Sequence, residues 1–117
     1  MDEKEFKDRT KKFALRVIKM VESLPSERTV DVLGKQLLRS ATSVASNYRA
    51  ACRAKSMADM IHKLSIVEEE ADESLLWMEL LVESERVEAS RLSALMVEGK
   101  EILAIVVASI KTLRARK

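Results

Sequence analysis

A chain of 117 residues with two glycines, one proline, one cysteine and one histidine has room for one core and few turns. So little turn chemistry excludes a many-stranded sheet. The lone cysteine and histidine exclude a disulfide framework, a multi-cysteine zinc site and a His-rich metal site. Lys and Arg number 21 against 19 Asp and Glu, a net charge of +2 that names no partner by itself.

The good helix formers Ala, Leu, Glu, Lys, Arg and Met dominate, so the chain is expected to be all-α. Its first residues, Met1 to Glu5, are charged and lack the apolar centre of a signal peptide. The most apolar run, Ile102 to Ile110, is too short to span a bilayer. A cytoplasmic protein with no membrane partner is expected, and a single cysteine suits that reducing setting.

The first helix is predicted over about residues 3–23. Phe6, Phe13, Val17, Met20, Val21 and Leu24 recur at steps of three, four or seven. Leu24-Pro25 ends it, and Ser26 or Thr29 is placed to cap the next. The second helix is predicted over about 29–52, on the stripe Val30, Leu33, Leu37, Ala41, Val44, Ala45, Tyr48 and Cys52. Ser56 with Asp59 three positions on reads as the start of a third helix, over about 57–83. Its stripe includes Met57, Met60, Ile61, Leu64, Val67, Ala71, Ser74, Leu75, Met78 and Val82. A polar cluster from Ser84 to Glu88 precedes a fourth helix over about 89–114, on Leu92, Leu95, Met96, Gly99, Ile102, Leu103, Val106, Ile110 and Leu113. Four long helices with short connections predict a single antiparallel up-down-up-down four-helix bundle spanning residues 1–117.

The fourth helix carries a surplus. Ile105 and Val107 lie off its core stripe, as Leu76, Trp77 and Leu80 do on the third helix. A helix apolar on more than one side is usually buried on more than one side. A homo-oligomer is therefore expected, with these five residues as candidate interface. A wide core stripe with scattered surface apolar residues is the plain alternative.

Charge is spread unevenly. Residues 1–56 hold 13 Lys and Arg against 7 Asp and Glu, whereas residues 57–117 hold 8 against 12. On the second helix Lys35, Arg39, Thr42, Ser46, Arg49 and Arg53 step by four or three, within an arc of about 80° at 100° per residue. Lys55 extends the row. A ridge of cations and small hydroxyls suits a phosphate backbone. Lys35, Arg39, Arg49, Arg53 and Lys55 are thus candidate contacts to RNA or DNA, with the first helix adding positive surface. A solvated face, or a strip pairing with acids of a neighbour, is the competing reading. No aromatic residue stands in the ridge to stack on bases.

The third helix holds the acids Glu68, Glu69, Glu70, Asp72, Glu73, Glu79 and Glu83. Flank acids such as Glu68 or Asp72 are expected to pair with Arg39 or another cation of the second helix, and Glu69, Glu70 and Glu73 to point outward. A di-iron bundle needs two Glu-x-x-His pairs, and a single His62 in Asp59-x-x-His62 does not supply them. No metal or cofactor is expected. Cys52 reads as a small core residue, no Gly-rich phosphate loop or Ser-His-Asp set exists, and no enzymatic activity is predicted.

The run from Gln36 to Ser56 has a Gln, two residues, Arg39, small residues, then Asn47 and a basic stretch ending in Ser56. Together with Lys63 to Leu81 and the Leu24-Pro25 break, it resembles the bacterial four helix bundle protein family, first noticed as products of intervening sequences in large-subunit ribosomal RNA genes. That family commonly has an acidic residue and a glycine where this chain has Ala50 and Ala51. The resemblance implies a left-handed antiparallel bundle that assembles as a homopentameric ring. It extends to the accessory subunit of diversity-generating retroelements, which implies nucleic-acid binding and association with a reverse transcriptase. A protein-interaction scaffold with no nucleic-acid ligand is the alternative function.

Overall fold

The computed structural model describes residues 1–116, which form four α-helices and no strand. They are α1 (Glu3–Glu22), α2 (Arg28–Ala51), α3 (Met57–Glu83) and α4 (Ala89–Ala115). Each connection is five residues long, so consecutive helices run antiparallel as neighbours. The bundle is a rod of 47 × 21 × 19 Å.

The helix ends follow local chemistry. Asp2 accepts the backbone N–H of Glu5 at 2.8 Å and caps α1, and that bond holds the Asp2 carboxyl below its usual range. Ser56 caps α3 by accepting the Asp59 N–H at 3.1 Å. Asp59 completes the turn by accepting the Lys55 N–H and the Lys63 ammonium. At α2 the expected Ser26 or Thr29 cap does not form: Glu27 stands at the N-cap with no side-chain bond. The break after α3 is a left-handed turn without a glycine. Glu85 has φ +63°, with Arg86 N–H on Leu81 C=O and Glu85 N–H on Val82 C=O. That pairing satisfies the last carbonyls of α3, and Val87 tucks into the core behind it.

The apolar stripes meet along the rod's axis. Phe13, Val17, Leu37, Val44, Leu64, Val67, Met78, Leu81, Leu92 and Ile102 are essentially inaccessible, each contributing about 1.5–3 kcal/mol by removal from water. Two stripe members differ from expectation. Met57 is exposed, being in the first turn of α3, and Ala45 is only half-buried on the side of α2 that borders α1. Gly99 permits a close crossing: a Cβ there would lie 3.1 Å from Leu75 Cδ2 and 3.6 Å from Phe13 Cε1.

Three buried hydroxyls interrupt the apolar stripes. Thr10 spends its proton on the Lys7 carbonyl at 3.0 Å. Ser40 of α2 and Ser74 of α3 lie 2.8 Å apart, so one hydroxyl donates to the other, which in turn donates to a carbonyl of its own helix. All are hydrogen-bonded, so they cost little, and the Ser40–Ser74 bond fixes the α2–α3 register. Phe6 and Tyr48 meet edge to face at 4.7 Å and join α1 to α2 near one end. The α1–α4 seam is the sparsest of the four. Arg9 closes it, with Nε and Nη2 on the two Glu98 carboxylate oxygens at 2.7 Å and Nη2 on Glu101 at 3.0 Å.

Candidate nucleic-acid interface

The apolar stripe of α2 faces the core, so the opposite arc faces solvent. Lys35, Arg39, Thr42, Ser46 and Arg49 are all exposed on that arc. Lys35 and Arg49 are 14 positions apart, about 21 Å along a helix. α2 ends at Ala51, before the expected residue 52, so Arg53, also exposed, lies with Lys55 past the helix end, in the turn that leads to α3.

The row is not uniform. Arg39 is closed by the neighbouring helix: Nη1 meets Glu70 at 3.1 Å and Nη2 meets Glu73 at 2.8 Å. Its Nε donates to Gln36 at 3.2 Å. The expected partners, Glu68 and Asp72, are not used. Two residues along a helix is a turn of about 200°, so Glu68 lies on the far flank of α3 from Glu70. The Ser40–Ser74 bond brings the Glu70 and Glu73 flank against α2. Glu70 and Glu73 therefore do not simply point outward, as the spacing suggested; the Glu70 side chain is 12% exposed. Lys35 shares the wall of a depression with Asp31.

Toward the other end the ridge joins α1. Lys7 and Lys11 of α1 and Arg49 of α2 line one groove with a cavity volume of about 350 Å³, with Thr42 and Ser46 between them. No acid lines this groove, and among the described residues none of the three cations is ion-paired. Lys7 and Lys11 were not named from the sequence. Their signal was present as Lys4, Lys7 and Lys11 at steps of three and four. It marked one cationic stripe on α1, but not which neighbour that stripe would meet.

The hydroxyls behave differently from expectation. Thr42 Oγ1 donates to the Leu38 carbonyl at 2.8 Å, and Ser46 Oγ donates to the Ser43 carbonyl at 3.3 Å. A hydroxyl has one proton, and here it is spent on the helix. The cations are thus the donors this face presents, and the hydroxyls keep its floor low between them.

The apolar candidates divide. Leu76, Leu80 and Val107 are 44%, 39% and 43% exposed. Trp77 and Ile105 are instead half-buried and packed against the core, so these two widen their stripes and do not form a free outer face. The buried Trp77 Nε1 has no hydrogen-bond partner. Gly99 beside Leu75 sets the level of α4 against α3. Val107 therefore stands roughly 13–20 Å along the axis from Leu76 and Leu80 at 1.5 Å per residue, and the three do not make one patch.

The remaining reactive groups are quiet. Cys52 is a free, half-buried thiol, and burial pushes its pKa up, away from the thiolate that would react. Burial also raises the Tyr48 phenol. His62 is exposed. Among the described residues no three His, Cys, Asp or Glu side chains converge as metal ligands, and no helix is long and apolar enough to cross a membrane.

Comparison with known proteins places this geometry. The family model for the 23S rRNA-intervening sequence protein matches residues 3–108. Among curated proteins nothing matches. A crystal structure of a protein of unknown function from the S23 ribosomal protein family of Bacteroides thetaiotaomicron is similar with a TM-score of 0.87 and 35% identity. That likeness covers 95% of this chain and 99% of the other. With the family model spanning nearly the whole bundle and a solved relative matching end to end, the chain belongs to the 23S rRNA-intervening sequence protein family.

Proposed function

We propose that the protein is a non-enzymatic accessory factor that binds the phosphate backbone of RNA or DNA. The observation that carries this reading is the groove where Lys7 and Lys11 of α1 face Arg49 of α2 with no carboxylate on its walls. Arg53 and Lys55 continue the positive surface past the helix end. Lys7 and Lys11 stand about one helical turn apart on α1, and several cations gathered on one face together neutralise backbone phosphates. With no aromatic residue on the face to stack on bases, the contacts go to phosphates, which carry no sequence information. The working form is a homo-oligomer in the bacterial cytoplasm. The resemblance to retroelement accessory subunits supports reading this oligomer as a pentameric ring that assists a reverse transcriptase. Leu76, Leu80 and Val107 are its candidate contacts between copies.

Fluorescence anisotropy with labelled mixed-sequence RNA and DNA at low salt tests this. Binding that weakens as salt rises is expected, and Arg49→Glu with Arg53→Glu should remove it while sedimentation reports an unchanged oligomer. No binding even at low ionic strength overturns it. Sedimentation as a monomer at micromolar concentration overturns the oligomer.

One observation favours a second reading. Arg39 is already held by carboxylates of α3, so acids of a partner protein could occupy Arg49 and Arg53 in the same way. On that reading the protein is an interaction scaffold. It then co-purifies from its host with a protein partner and a low 260/280 absorbance ratio. A nucleic-acid-binding protein co-purifies with a high one.

A further inference from the structure

The α1–α4 seam treats its cations in two ways. Near the start of α1, Arg9 is fully closed by Glu98 and Glu101. Near its end, Arg16 and Lys19 of α1 and Arg91 of α4 converge on one depression of about 320 Å³, with Met20, Leu95 and Ser23 in its wall. Among the described residues no carboxylate lines it and none of these three cations is ion-paired, although Glu98, held by Arg9, lies within electrostatic reach of Arg16.

Arg91 is held in place there. Its Nη2 donates to Ser23 Oγ at 2.8 Å, and Ser23 in turn donates to the Met20 carbonyl at 2.6 Å. The hydroxyl is spent, so its part is to aim the guanidinium. Arg91 also stands in the first turn of α4, which has no acidic residue, and Glu88 at its N-cap makes no capping bond. Two local rules are broken at one point. Like charges are gathered, and a cation sits at the positive end of a helix dipole. A bound anion would reverse the sign of both terms.

We propose that this depression is a phosphate-binding site. Arg16 and Arg91 take the phosphate oxygens with their forked donors, and Lys19 adds a third charge. The site lies on a different seam from the Lys7–Lys11–Arg49 groove and stands independently of the polynucleotide reading. Its ligand is a phosphate group, either of a free phosphate ester or of a nucleic-acid backbone.

The test is a titration of the full ¹⁵N-labelled chain with inorganic phosphate at constant ionic strength, followed by NMR. The Arg16 and Arg91 Nε–H signals and the Ser23 amide should shift and saturate, with Arg49 unmoved. Arg91→Gln should weaken that binding by about tenfold or more, as expected for a charge-assisted pair. Phosphate should raise the melting temperature of the wild type more than that of Arg91→Gln at the same concentration. The arm that identifies the source uses Arg49→Glu plus Arg53→Glu with a short single-stranded RNA. Shifts at the same signals assign the site to a polynucleotide phosphate, and a response to phosphate alone assigns it to a free ester. An unsaturable shift, an equal shift at Arg49, or unchanged affinity in Arg91→Gln overturns the proposal.

Discussion

The two flanks of α2 use similar residues to opposite ends. On the flank toward α3, Arg39 meets Glu70 and Glu73, and Ser40 bonds Ser74. Charge and polarity are closed there, and the flank locks two helices in register. On the flank toward α1, Arg49 shares a groove with Lys7 and Lys11, and among the described residues no acid lines it. Closing an ion pair at a surface is worth little stability, about 0–1 kcal/mol. Leaving cations together costs a comparable amount and keeps them available. A cation's availability is therefore set by the helix beside it and cannot be judged from its own helix alone.

The largest expected effect comes from breaking the open flank. Arg49→Glu with Arg53→Glu reverses two charges and should lower affinity for RNA or DNA by about a hundredfold or more at low salt. Both side chains are exposed, so the unfolding free energy should change by no more than about 0.5 kcal/mol. Next comes the α1 side. Lys7→Ala with Lys11→Ala should weaken binding by about tenfold in the same anisotropy assay. An unchanged affinity would confine the interface to α2.

Opening the closed flank sharpens the comparison from the other direction. Glu70→Gln with Glu73→Gln frees Arg39 and should tighten binding a few-fold. Arg39 is 49% exposed, so urea unfolding should register a loss below about 1 kcal/mol. If binding does not change, Arg39 is not part of the interface.

The smallest effect concerns α1's other flank, where Arg9 closes on Glu98. The Arg9 guanidinium holds the Glu98 carboxyl below its usual value of 4.5. A lowered folded pKa gives stability that is fully present above that value and lost as pH falls through the folded one. With side chains 22% and 18% exposed, the bidentate pair should contribute about 1 kcal/mol at neutral pH. Glu98→Gln should be less stable at pH 7 and converge with the wild type in acid. Thermal melts over that range check it; a constant difference between the two would contradict it.

Much of this architecture was legible from spacing. Phe6, Phe13 and Val17, or Leu92, Ile102 and Val106, recur at helical steps because one side of each helix must leave water. The same arithmetic found the exposed arc of α2. It did not find Glu70 and Glu73 as partners of Arg39, because that choice depends on the register between α2 and α3, set by a buried Ser40–Ser74 bond. It did not flag Thr10, whose hydroxyl is neutralised within its own helix and so sits on an apolar stripe without cost. Trp77 and Ile105 looked like surplus surface but pack on the core, because the stripes of α3 and α4 are wider than an idealised one. The Lys7–Arg49 groove and the Arg16–Arg91 depression were invisible for a common reason: each is assembled from two helices.

The account's central claim is that the open α1–α2 face binds a phosphate backbone through Arg49 and Arg53. Its most direct test is the slope of log Kd against log salt for the wild type and for Arg49→Gln with Arg53→Gln. Losing two phosphate contacts should lower that slope by about 1.4–1.8. An identical slope in the two proteins, or binding by the wild type that ignores salt, would contradict the claim.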